Sequence, residues 1–311
     1  MHKIDLLSKR ISEMKNPTVA GLDTRLEHLP KEFVEKTLGG AAETLESASK
    51  AILEFNKRLV DALCGIVPAV KVQIAYYEMY GLAGMECFAE TVLYAKKKGM
   101  LVITDAKRND IGATAEAYSA AHIGETAVGN AFFRAFFSDF VTVTPYLGED
   151  GINPFIKDAE KTGNGIFVLV KTSNPSGCQL QNLIADGKPV YRLMGELVSR
   201  LGESTIGESG YSLAGAVVGA TYPSEGAELR KALPHTFFLV PGYGAQGATA
   251  ADIAGCFDKN CGGAVVNASR SLLLAWKKRE GVAFDEAARL EALKMRDDIA
   301  AGLSAAGKDF A

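Results

Sequence analysis

Four charged side chains fall within six positions, Asp105, Lys107, Arg108 and Asp110, directly after the apolar run Leu101-Val102-Ile103-Thr104. On an extended strand an acid and a base two residues apart project to the same face. Arg108 is expected to point away, and Asp110 falls where the chain must turn before a helical pattern. Charge is costly to bury unless it is paired. An apolar strand that delivers Asp105 and Lys107 to one point is therefore either a surface salt bridge or a site.

The elements around it bear on that choice. Eight short apolar runs recur along the chain, within 17–23, 69–73, 101–104, 140–144, 166–171, 213–219, 236–240 and 263–267. Helical spacing follows each: about 41–63, 85–98, 114–125, 152–160, 190–201, 224–233, 248–257, and segments running to the C-terminus. The runs are continuous rather than alternating, as parallel strands covered on both faces require. Eight such units predict an α/β fold, a (β/α)8 TIM barrel. It is expected to form a single domain over 1–311, with extra N- and C-terminal helices. The other arrangement, a doubly wound open sheet, lacks a GxGxxG after the first strand. Polar stretches near 174–188 and 201–212 read as insertions on loops.

Barrel enzymes place their chemistry at the C-terminal ends of the strands. At those ends lie Asp23, Lys71, the Asp105/Lys107/Asp110 group, Ser173, the loop Pro241-Gly242-Tyr243-Gly244-Ala245-Gln246-Gly247, and Ser269-Arg270. Singly, each has a bland reading: a strand-terminal Asp can be a helix N-cap, and a lone Ser a turn residue. Together they repeat one kind of polar position on several strands. Gly242, Gly244 and Gly247 allow close backbone approach after strand seven, and Arg270 opens a helix after strand eight. Loops seven and eight with a helix N-terminus commonly hold a phosphate, which Arg can grip through two charge-assisted bonds. The expected substrate is a phosphorylated small molecule.

The totals remove other classes. The 311 residues are 48% hydrophobic and 23% charged, with a formal net charge of −3. The basic clusters Lys96-Lys97-Lys98 and Lys277-Lys278-Arg279 sit at ends of helical patterns, where cations suit the dipole, so nucleic-acid binding is not expected. The five cysteines show no CxxC spacing, and the four histidines no metal-ligand spacing. No apolar run reaches membrane-spanning length, and the amphipathic start MHKIDLLSKRISEMK lacks a signal-peptide core. A cytoplasmic protein without membrane or nucleic-acid partners is the expectation.

The string Asp105-x-Lys107-Arg108-x-Asp110-Ile111-Gly112-x-Thr114, with the PGxGAQG loop and Ser269-Arg270, resembles the orotidine 5′-phosphate decarboxylases. The likeness is to their longer bacterial form and touches all eight strand ends. Asn109 stands where that family often has Gly. The resemblance implies decarboxylation of orotidine 5′-monophosphate to UMP in de novo pyrimidine biosynthesis, with neither metal nor organic cofactor. It also implies a homodimer with shared active sites. Lys71, Asp105, Lys107 and Asp110 would form an alternating charge network, with Asp110 and Thr114 supplied by the neighbouring subunit. Asp23 and Lys71 would hold ribose hydroxyls, and Ser173 the pyrimidine. Gln246, Arg270 and backbone near Gly244 would hold the phosphate, and Ile111 and Pro241 complete the substrate-binding set. Two alternatives stay open. A magnesium-dependent barrel enzyme would want an acidic ligand near strand two, where Lys71 stands instead. A barrel that merely binds a phosphorylated ligand would have no use for Asp105 beside Lys107.

Overall fold

In the computed structural model, residues 1–244 and 247–310 are described. Eight parallel strands close into a barrel: β1 (Thr18–Gly21), β2 (Ala69–Gln73), β3 (Leu101–Arg108), β4 (Phe140–Val143), β5 (Gly165–Lys171), β6 (Ala214–Val218), β7 (Phe238–Pro241) and β8 (Ala264–Ala268). They pair in chain order, and β1 closes on β8 through Thr18–Val266, Val19–Asn267 and Ala20–Ala268. All eight match the predicted runs, and their near-continuous burial is what helices outside and side chains inside impose.

Inward side chains follow the two-residue period. Phe140 and Phe167 fill the barrel, their rings 5.4 Å apart. Each lies over a glycine of the next strand. A Cβ on Gly165 would stand 2.9 Å from the Phe140 ring, and one on Gly215 would stand 2.6 Å from that of Phe167. Both rings are fully buried, each contributing about 2–3 kcal/mol of apolar transfer. This aromatic floor leaves the C-terminal mouth for polar groups. Two residues above Phe140 is Thr142, and two above Phe167 is Leu169.

The terminal helices have separate tasks. Lys3–Met14 buries Ile4, Leu7 and Ile11 and is tied by Lys3 N–H to the Gly163 carbonyl. Phe284–Ala305 packs on Leu45–Leu63, with the Phe284 and Phe55 rings stacked at 4.4 Å. The stretch near 174–188 is structured: a 3-10 turn Pro175–Gly177, a helix Cys178–Gln181, and a small hairpin pairing Ile184–Ala185 with Lys188–Pro189. A second hairpin, Thr126–Val128 with Ala131–Phe133, has no counterpart among the predicted elements. Its strands are three residues long and exposed, too short for periodicity to register; only the Gly129-Asn130 turn marks it, with Gly129 at φ +63°. Among the described residues, no helix is long and apolar enough to cross a membrane.

Candidate active site

The centre of the barrel mouth is a carboxylate with four donors. Asp105 Oδ1 accepts from Lys107 Nζ at 2.6 Å and from Thr142 Oγ1 at 2.8 Å. Its Oδ2 accepts from Lys71 Nζ at 2.8 Å and from Gln73 Nε2 at 2.9 Å. Lys71 lies 3.7 Å from Asp23 Oδ1 in turn. Burial pushes the Asp105 pKa up, but Lys71 and then Lys107 outweigh it and hold the carboxyl well below the usual carboxylate range. Burial likewise works against the Lys71 ammonium, and Asp105, followed by Asp23, reverses this and raises its pKa. Both groups are charged at neutral pH. A lysine inside the short apolar run of β2 is tolerable only because these two acids surround it.

Lys107 reaches Asp105 by a different route from the one an ideal strand predicts. The β3–β4 register breaks between Thr104 and Arg108, and Lys107 adopts a left-handed backbone at φ 48°. Its amide N–H donates to Thr142 Oγ1 at 2.9 Å, so one threonine holds both the bulge and the carboxylate. Such a backbone costs a non-glycine residue about 1–3 kcal/mol and persists where surrounding contacts impose it. The bulge lifts the ammonium into the mouth, with the Lys107 side chain 46% exposed against 11% for Asp105. Arg108 does turn away, pairing with Glu78 at 3.0 Å and covering the Tyr118 ring.

This carboxylate and both lysines line a cleft of ≈ 720 Å³, a size suited to one small-molecule ligand. Asp23, Ser173, Pro241 and Arg270 line it too; Leu169, Val217 and Leu239 supply an apolar patch. Asp23 Oδ1 and Asn267 Oδ1 are buried without hydrogen-bond partners among the described residues. Unsatisfied buried acceptors are unfavourable, and a ligand hydroxyl would relieve them.

The glycine loop and Arg270 stand at one end of the cleft. Gly242 and Gly244 have φ of +108° and +67°, and Gly244 N–H donates to the Ala248 carbonyl at 2.9 Å. Arg270 opens the short helix Arg270–Leu273 beyond β8. Gln246 lies outside the described residues.

Asp110, Ile111 and Thr114 do not join the cleft of their own chain. Asp110 Oδ1 accepts from the Ile111 N–H at 2.8 Å, Ile111 is 53% exposed, and Thr114 is exposed on the helix Gly112–His122.

Several cleft residues escape a reading of charges alone. Gln73 and Thr142 are neutral, yet they supply two of the four bonds to Asp105. Their positions at the C-terminal ends of β2 and β4 were the available signal. Asn267 in β8 carried the same signal. Arg25 and His28, beyond β1, also line the cleft. His28 Nδ1 accepts from Arg25 N–H at 3.2 Å, and burial keeps the ring's pKa below the ordinary histidine value.

Known proteins resemble this chain along nearly its whole length. Residues 44–283 match the model of the orotidine 5′-phosphate decarboxylase / HUMPS family. The orotidine 5′-phosphate decarboxylase of Rhodopirellula baltica is 44% identical over 299 residues, covering 94% of this chain and 97% of that protein. The enzyme of that name from Clostridium acetobutylicum is 43% identical, covering 92% of this chain and 95% of its own length. The solved structure of Leishmania donovani OMP decarboxylase superposes with a TM-score of 0.72 at 26% identity, over 98% of this chain and 99% of that one.

Proposed function

We propose a division of labour among these residues for a chain that belongs to the orotidine 5′-phosphate decarboxylase family. It decarboxylates orotidine 5′-monophosphate to UMP in pyrimidine biosynthesis, as a carboxy-lyase. The difficulty of the reaction is electronic. When the C6–carboxylate bond breaks and CO2 leaves, its electron pair stays on C6 as a vinylic carbanion with no neighbouring group to spread the charge. Something beside C6 must stabilise that pair and then protonate it.

Lys107 does both. Its ammonium stabilises the carbanion electrostatically and delivers a proton from Nζ to C6; the resulting amine regains a proton from solvent. The observation that carries this reading is the lifted Lys107 ammonium, 2.6 Å from a carboxylate already saturated by Lys71, Gln73 and Thr142. Asp105 keeps Lys107 protonated and aimed, and crowds the substrate carboxylate with like charge. That repulsion amounts to about 4 kcal/mol for charges about 4 Å apart at an effective dielectric near 20. The most proficient enzymes lower barriers by about 20 kcal/mol or more, so repulsion is not the main term.

Asp23 and Lys71 hold the ribose hydroxyls, a role supported by Asp23 Oδ1, which is ion-paired with Lys71 but accepts no hydrogen bond. Ser173 meets the pyrimidine. Arg270, Gln246 and backbone at Gly244 take the phosphate, with Pro241 beside them, and that binding energy closes the loops over the reacting atoms. Asp110 and Thr114 complete the site of a second copy in a homodimer; their absence from their own cleft supports this assignment, and Ile111 travels with them. A cytoplasmic setting suits the five free cysteines.

The test is direct. Purified protein given orotidine 5′-monophosphate should convert it to UMP and CO2 with the accompanying loss of ultraviolet absorbance. Folded protein that leaves the nucleotide untouched would defeat the reading.

A further inference from the structure

The segment 172–189 is fastened to the barrel at two adjacent residues. Lys171, the last residue of β5, is fully buried. Its ammonium donates to Asn182 Oδ1 at 2.5 Å and lies over the rings of Tyr222 and Tyr191, 4.2 and 5.0 Å from their centres. A buried ammonium must be held by acceptors and ring faces, and these partners come from three separate segments. Thr172 is bonded twice to Gln181: its N–H donates to Oε1 at 3.0 Å, and its Oγ1 accepts from Nε2 at 2.7 Å. The same hydroxyl donates to Asn174 Oδ1 at 2.7 Å.

Ser173 is therefore held from both sides. Its carbonyl accepts from Thr221 Oγ1 at 3.2 Å. It also rests on Gly219, where an added Cβ would come within 2.8 Å of the Ser173 Cα. A backbone pinned at 171, 172 and 173 leaves the Ser173 and Asn174 side chains little choice of direction, and both line the cleft.

We infer that Asn182 and Gln181 are positioning residues for the reaction: they clamp Lys171 and Thr172 so that Ser173 is presented to the substrate ring. This gives the structured segment 174–189 its task, and it rests on the reading that Ser173 meets the pyrimidine. Neither residue touches the cleft, and both lie at least partly in solvent; Asn182→Ala takes an acceptor from the buried Lys171 ammonium, so Gln181→Leu, which leaves that group alone, carries the test if the first variant fails to fold.

Asn182→Ala and Gln181→Leu should each raise KM for orotidine 5′-monophosphate by about tenfold while kcat changes by less than about threefold, as loss of ring binding requires. UMP should bind these variants correspondingly less well. Ribose 5-phosphate, which has no ring, should bind as it does to wild type. In a Ser173→Ala background the same substitutions should add nothing, because the contact they serve is already gone. Unchanged KM, equal weakening of ribose 5-phosphate, or additive effects with Ser173→Ala would each overturn the inference. A Ser173→Ala enzyme with unaltered KM would instead overturn the pyrimidine contact beneath it.

Discussion

Replacing Lys107 by alanine separates chemistry from architecture. The side chain is half-exposed, and its removal leaves Asp105 still bonded to Lys71, Gln73 and Thr142. The barrel should therefore fold, and the cleft should still bind nucleotide. On the proposed role, what disappears is a positive charge beside C6; a unit charge about 4 Å away at an effective dielectric near 20 is worth about 4 kcal/mol, or about three powers of ten in rate. The proton donor disappears with it, a further factor of about 10²–10⁴. Lys107→Ala should thus lose about 10⁵- to 10⁷-fold in kcat, measured as the decline of orotidine 5′-monophosphate absorbance at saturating substrate. Calorimetric binding of UMP should remain measurable. Turnover within tenfold of wild type would refute the role of Lys107. Total loss of UMP binding would show that the side chain organises the cleft rather than the chemistry.

Arg270→Ala should raise KM by about a hundredfold or more through lost charge-assisted phosphate bonds, yet leave the slow turnover of the dephosphorylated nucleoside nearly unchanged. A large loss on the nucleoside would contradict the phosphate assignment. Mixing inactive Asp110→Ala and Lys107→Ala proteins should restore about a quarter of wild-type activity, since half the dimers are mixed and one of their two sites is intact. No recovery after confirmed subunit exchange would count against sharing. His122 is a stability probe. Burial, aided by Arg108, pushes its pKa down to about 4 from 6.5. The unfolded chain thus takes up the proton first, and stability falls as pH drops from 6.5 towards 4, by about 3 kcal/mol for this group. Denaturant titrations of His122→Phe should show that much less acid sensitivity than wild type across this window, and identical profiles would exclude the histidine.

Strand count, barrel closure and the end at which polar residues collect are legible in the order of residues along the chain. Continuous apolar runs are a local property, and polar residues at their C-terminal ends can be read without coordinates. The position of Lys71 was equally legible, because a cation inside a five-residue apolar strand demands acidic partners. How the charges meet depends on contacts between strands distant in sequence. Lys107 reaches Asp105 through a bulge and a left-handed backbone that the two-residue spacing does not encode, and Thr142, which holds that bulge, is 35 positions away. The neutral donors Gln73 and Thr142 carry no charge to mark them, and only their places at strand ends point to them; their importance lies in what they approach. The segment 174–189, unremarkable as a polar string, acquires meaning from bonds to the end of β5 that fold it back on the barrel. Asp110, adjacent in sequence to the charges it resembles, stands outside their cleft, because the turn after β3 carries it away.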